Sequence, residues 1–370
     1  MFFEAWSKLS VEKKKFTILV VVVLIFIYTV FIYISASVLF NNKMSATENH
    51  LIRMSSAAVE QGHTPPESLL ATGNFSTVKV GSYIDSINNL SISDSSWVAS
   101  FYMWFTWTGS KTLDPGGKMI IVDGTINKKE LLEEFDGENN IHYQKYRVSA
   151  KLLKFFDTSR VPMETHMLNI YVEDGARDGS KLRYIADKDS NISSRVSIPG
   201  YKITGNSNVV KSHTYRSSYG DPRLSGSDKK TFTQYIIAVD IARKNMGVYG
   251  KIFLAMFAAL ALTLSSFFVK ASDVGPRFAL PTAAYFGAVT NSYIANSILP
   301  PSGSFGLVDY VTAFGLITIF MSIALALLSN YISVKKDDKE FSFILDRFMF
   351  FALTICCLSA NIIIPWSATG

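Results

Sequence analysis

The chain has 370 residues, of which 48% are hydrophobic and 18% charged, with a net charge of +6. Those averages conceal a division: residues 16–40 and 248–366 are largely apolar, whereas 41–247 carry the Asp, Lys, Ser and Gly of a water-exposed domain. Much of the basic excess flanks the apolar runs, so it reads as membrane topology and argues against a nucleic-acid partner, and Cys356 and Cys357, adjacent in an apolar run, exclude a disulfide or thiolate–metal framework for the middle domain.

In chain order, residues 1–15 end in Lys13, Lys14 and Lys15 and precede an uncharged run over 16–40. A cleaved signal peptide has an apolar region of roughly 7 to 15 residues, so the longer run predicts a retained transmembrane anchor with a cytoplasmic N-terminus. Residues 41–77 are small and polar, broken by Pro65 and Pro66, and read as a linker with some helix around Met54 to Glu60. From Val78 to residue 247, short runs rich in Val, Ile, Tyr, Trp and Thr alternate with turn residues, and WVASFYMWFTW over 97–107 has period two. This texture predicts an antiparallel β-sandwich, with KKELLEEF over 128–135 as a helical insertion.

Four candidate membrane spans follow within 248–370: about 248–269, 277–299, 308–334 and 343–366. With the sandwich outside, the two inner loops hold Lys270, Arg277, Lys335, Lys336 and Lys339, as the positive-inside rule expects. The second span is uncharged after Arg277 and too polar to face lipid all round, carrying Thr282, Thr290, Asn291, Ser292, Asn296 and Ser297. Ala279, Ala283, Phe286, Thr290, Tyr293 and Ser297 recur in steps of four and three, which places them on one helical face. Such a face encloses a water path only if several copies ring it; the alternative is a helix buried in a monomeric bundle.

This order of parts resembles the pentameric ligand-gated ion channels, the superfamily of the Cys-loop receptors. Residues 155–174, FFDTSRVPMETHMLNIYVED, are similar to the family's signature loop and the strand after it, with Asp157, Pro162, Glu164, Leu168 and Ile170 at the matching places and without the flanking cysteines, as in bacterial members. Residues 80–107 resemble its first two strands, and Arg243 the arginine before its first span. Arg277, Leu299, Pro300 and Asp309 fall where the family has the basic residue opening the pore helix, the Leu-Pro pair closing it and the Asp starting the third span. Three features depart from the pattern: the extra N-terminal span, Pro281 inside the pore helix, and the lack of a recognisable Trp-Pro motif between Gly109 and Tyr143.

The resemblance implies a homopentameric, ligand- or proton-gated channel: an extracytoplasmic antiparallel β-sandwich followed by a four-helix transmembrane bundle, here with the N-terminal anchor helix added. It implies a multi-pass protein of the cell membrane, with the sandwich in the periplasm of a bacterial inner membrane. Its partners would be membrane lipid, four further copies of itself, a small molecule or proton and inorganic ions, with no cofactor. Coupling between the halves would fall to Asp157, Pro162, Glu164, Arg243 and Pro300, the bland alternative for Glu164 and Arg243 being an ordinary surface ion pair. Trp104, Trp107, Tyr184, Tyr215 and Tyr219 are the aromatic candidates for a ligand cage, the last two in a hairpin at 215–230 placed to close over it. Positions 104 and 107 have opposite parity on one strand, so at most one of the two tryptophans faces a ligand.

No enzymatic constellation stands out, and neither catalytic nor metal residues are assigned. His50, His63, His142, His166 and His213 are scattered without ligand spacing, and of these His166 is the one to test as a pH sensor. Phe286, near the middle of the span, is the expected hydrophobic constriction, and the lack of acidic residues between Arg277 and Asp309 tilts the expectation toward anions or weak selectivity. A membrane-tethered sensor of the same fold that does not conduct is the alternative function.

Overall fold

Alternation in the sequence becomes alternation in burial. The computed structural model describes residues 6–58, 74–222, 230–244, 246–297, 299 and 305–369. They divide into two compact units, one built of sheets (45–157 and 165–244) and one built of helices (residues up to 44, 158–164 and 245–370).

The sheet unit contains β1 (Ser76–Ser91), β2 (Ser96–Thr108), β3 (Met119–Ile121), β4 (Gly124–Asp136), β5 (Ile141–Leu153), β6 (Thr165–Asp174), β7 (Leu182–Ala186), β8 (Asn191–Ile192), β9 (Tyr201–Thr214) and β10 (Thr231–Arg243). Along β2, Trp97, Ala99, Phe101, Met103, Phe105 and Trp107 are buried and the residues between them are half-exposed, the period of a strand with one wet face. One sheet runs β4-β5-β2-β1-β7, with β8 also on β1; the other runs β3-β6-β10-β9. Inward residues of both, among them Phe101, Phe105, Val148, Leu168, Ile170, Val239 and Ile241, form one apolar cluster. The sandwich is antiparallel except at one edge, where β7 and β8 pair with β1 in parallel, a departure from the expected all-antiparallel pattern.

KKELLEEF is strand and not the expected helical insertion: it lies within β4, which pairs along its length with β5. Helix-favouring Lys, Glu and Leu are overruled there by cross-strand pairing, including Lys145 with Glu133 at 2.8 Å, and an edge strand tolerates such a charged, exposed sequence. Gly81 on β1 is required by close approach, since a Cβ there would lie 2.4 Å from the Trp104 ring.

The helical unit holds most of α1 (Val11–Met54), then α2 (Gly247–Ile252), α3 (Leu254–Ser265), α4 (Val274–Ser297), α5 (Leu307–Lys335) and α6 (Lys339–Ala368). By length and composition α1, α5 and α6 can each cross a membrane. The first of the four expected spans is divided at Phe253 into α2 and α3, and the second, α4, has the length but more polar residues. Pro281 sits inside α4, whose assigned helix continues through it.

α1 shows why a 44-residue helix is stable here. Leu24, Tyr28, Ile32, Ser35 and Leu39 are buried at steps of four and three, while Phe26, Tyr33 and Ile34 on other faces are exposed as a lipid-facing helix allows. Tyr28 donates to Thr318 Oγ1 at 3.1 Å and packs edge-on against Phe314 of α5; Phe16 meets Phe341 of α6, and Lys13 pairs with Asp338. The helix also runs on to Met54, so the first part of the expected linker at 41–77 is helical because the chain meets no breaker before Ser55. Pro65 and Pro66 lie outside the described residues.

Candidate functional site

α4 has two distinct faces. Arg277, Pro281, Ala284, Ala288, Asn291 and Ala295 are buried, and the three small alanines among them let α4 pack closely beside α3 and α5. Two positions round from them, Ala279, Ala283, Phe286, Thr290, Tyr293 and Ser297 are all exposed, with Phe286 66% and Tyr293 78% accessible. Thr290 and Ser297 each spend their hydroxyl proton on a carbonyl one turn back, Phe286 O and Ile294 O, both at 2.8 Å. The predicted stripe therefore lies turned away from the other helices of its own chain and presents small, aromatic and hydroxyl groups without a formal charge.

At the N-terminal end of α4 its one cation is consumed internally. Arg277 is fully buried, and its guanidinium donates to Asp346 of α6 through Nη1 at 2.8 Å and Nη2 at 2.6 Å, with a further bond from Nη1 to Val269 O at 2.9 Å. Among the described residues its Nε has no hydrogen-bond partner, and neither does Nδ2 of buried Asn291 further along the same face.

The segment between β5 and β6 changes units: Asp157 is an exposed residue of the sheet unit, whereas Thr158–Glu164 belongs to the helical unit. Within that helical unit Met163 joins the apolar cluster, Pro162 follows a cis bond and is buried, and Glu164 is fully buried. Ser159 O accepts the Leu307 backbone N–H at 2.8 Å where α5 begins. Gly306 is needed at that contact, because a Cβ would stand 2.9 Å from Ser159 O. In the sheet unit, the Arg243 guanidinium lies over the Tyr201 ring, 4.2 Å from its centre. His166 is buried edge-on to Phe156 at 5.0 Å. Pro300 lies outside the described residues.

The five aromatic candidates do not converge. Trp107 and Tyr184 face the sandwich core, Trp107 donating to Ser110 O at 3.0 Å and Tyr184 packing beside Phe105. Trp104 points to the opposite face, as its parity predicts, and donates to Asp187 Oδ2 at 2.9 Å. Only Tyr215 and Tyr219 come together, their ring centres 5.8 Å apart, with His213 and Phe232 also against Tyr215. Residues 223–229 of the expected hairpin lie outside the described residues.

Beneath these rings is a carboxyl that the sequence reading did not single out. Glu173 is buried, accepting the Tyr215 hydroxyl at 2.9 Å and Gln234 Nε2 at 2.6 Å. Burial pushes its pKa above the ordinary carboxylate range and the nearby Asp123 charge adds to the rise, against the lowering effect of the two hydrogen bonds. Its signal was parity: on HMLNIYVED it alternates with Leu168, Ile170 and Val172 and so faces away from the core.

No protein-family model matches the chain, and no curated protein matches it.

Proposed function

We propose that the chain is one subunit of a homopentameric ion channel, gated by a small ligand or by protons, whose path is lined by α4. One observation carries this reading. The six-residue stripe of α4 is exposed although it holds Thr290, Tyr293 and Ser297, and a polar face at membrane depth needs water or another polypeptide beside it. A ring of copies supplies both. In this reading the segments α2–α3, α4, α5 and α6 form the four-span bundle, α1 is a fifth helix packed on its own subunit, and the sheet unit is extracytoplasmic, in the periplasm of a bacterial inner membrane.

Gating is a population shift: a ligand or proton favours whichever of two packings it binds better. The loop 158–164 is the proposed carrier, since it leaves β5, packs among the helices at the start of α5 and returns to β6. Phe286 forms the closed constriction, where a ring of phenyl groups excludes ions by dewetting. With no acidic ring between Arg277 and Asp309, the path favours anions or discriminates weakly.

The test joins native mass measurement of the purified protein to bilayer current recording swept across pH and a panel of amines. A five-subunit mass with gated current supports the reading. A monomer refutes it, and a pentamer silent under every stimulus assigns the fold to a non-conducting sensor instead.

A further inference from the structure

We infer that the helical unit carries a site for one glycerophospholipid, whose phosphate diester is held by Arg347 of α6 between the rings of Phe268 and Phe343. The inference rests on α6 spanning a membrane and not on whether the chain conducts.

The first observation is the depth of the charge. Arg347 lies eight residues past Lys339, where α6 begins, which is about 12 Å along a helix long and apolar enough to cross a membrane. A guanidinium that far into a span is costly unless water or an anion meets it, and an arginine reaches the membrane edge by extending back along its own helix. Asp346, its neighbour in the chain, attracts it but bonds through both oxygens to Arg277. Among the described residues the contacts of the Arg347 guanidinium are with rings: its centre lies 4.3 Å from that of Phe268 and 5.0 Å from that of Phe343. Rings accept no conventional hydrogen bond, so the flat fork of N–H donors is presented to whatever lies alongside, in the geometry that takes a phosphate through two bonds.

The second observation is what surrounds the charge. Lys270 and Lys339 are the exposed cations nearest in sequence to these residues, and the exposed acids Asp273 and Glu340 match them, leaving the single charge of Arg347 over. One phosphate diester carries the opposite single charge. Beyond it the wall is apolar: Phe343, Arg347, Phe351 and Ile355 follow at steps of four along one side of α6, and Phe351 is 54% and Ile355 62% exposed. An acyl chain covers such a wall and a free phosphate ion does not, which commits the site to a phospholipid.

The cradle is held in place. Phe268, in the turn after α3, packs edge-on to Phe350 of α6 with ring centres 4.8 Å apart, and Phe350 packs on Phe351 at 5.4 Å. Arg277 ties the same two elements from behind, donating to Val269 O at 2.9 Å and to both oxygens of Asp346. The residue after Phe268 and the residue before Arg347 are thus joined through one buried guanidinium, which fixes the two halves of the site before a lipid arrives.

Titration of the purified full chain in detergent with defined lipids, read by native mass spectrometry, tests the site. Dioleoylphosphatidylglycerol supplies phosphate and chains, dioleoylglycerol the chains alone, and glycerol 3-phosphate the phosphate alone. One phosphatidylglycerol per chain is expected to bind about tenfold tighter than either partial probe. Arg347→Gln should weaken that binding about tenfold. Phe343→Leu, which keeps the charge and opens the cradle, should weaken it about threefold. Lys336→Gln, which removes an exposed cation outside the site, should leave it unchanged. Equal binding of dioleoylglycerol would reduce the site to a chain contact, and equal binding of glycerol 3-phosphate would make it a free-phosphate site. Either result, wild-type affinity in either site variant, or an equal loss in Lys336→Gln would overturn the proposal.

Discussion

Removing the Asp346 carboxylate should be among the most damaging single changes in the helical unit. Arg277 is fully enclosed and loses both of its bonds to that carboxylate, at 2.8 and 2.6 Å, retaining only Val269 O. A buried charge stripped of its partner costs about 3–5 kcal/mol, and the Nε of Arg277 offers no reserve because it has no partner among the described residues. At about 2–4 °C per kcal/mol for a unit of this size, Asp346→Ala should lower the melting temperature by about 6–20 °C, read by differential scanning fluorimetry of the purified protein. Replacing both partners with apolar residues, Arg277→Met with Asp346→Leu, should recover most of that loss, since a buried ion pair is worth little against well-packed hydrophobic groups. A drop under about 3 °C for Asp346→Ala, or a double variant as unstable as the single one, would refute the argument.

Three further outcomes follow from the same structure. Phe286→Ser should raise resting conductance in bilayers, because it removes an apolar ring from the exposed face of α4; an unchanged resting current in assembled protein moves the constriction elsewhere. Glu173 has a pKa raised by burial, so the folded state favours its protonated form: the stability it confers is complete below the ordinary carboxylate value and is lost as pH rises through its raised value. Glu173→Gln should therefore flatten the dependence of melting temperature on pH above that ordinary value, and a slope equal to wild type would rule the residue out. Cysteine labelling from outside should succeed at Ser110, while Lys336 should react only after permeabilisation; both are exposed on the protein surface, and the reverse pattern would overturn the topology.

What could be read from the residues depended on how strongly local pattern and tertiary context agreed. β2 and α4 announced themselves because one periodicity, two or 3.6, governs burial along each, and the structure places the odd and even residues of β2 and the two faces of α4 where that periodicity puts them. β4 misled because its composition favours helix while its pairing with β5 decides its state, and pairing between distant segments leaves no mark on a local window. The reach of α1 beyond residue 40 was hidden for a similar reason: Asn41–Met54 is too polar to belong to the membrane run, yet nothing in it stops a helix already begun. The aromatic candidates were gathered by type, and type cannot tell Trp107 in the core from Tyr219 at the surface. Glu173 and the Arg277–Asp346 pair needed three dimensions, because each takes its meaning from residues tens of positions away.

The most direct test of the central claim is a cysteine scan of α4 read by current. Cys356 and Cys357 are first replaced by alanine, then single cysteines are introduced at Ala279, Ala283, Thr290, Tyr293 and Ser297 on the exposed face and at Ala284 and Ala288 on the buried one. Reconstituted channels are treated with a charged, water-soluble thiol reagent while current is recorded. If α4 lines the path, reagent should change the current at the first set, in steps of four and three, and leave the second set unaltered. Modification that follows Ala284 and Ala288, or that shows no helical period, would contradict it.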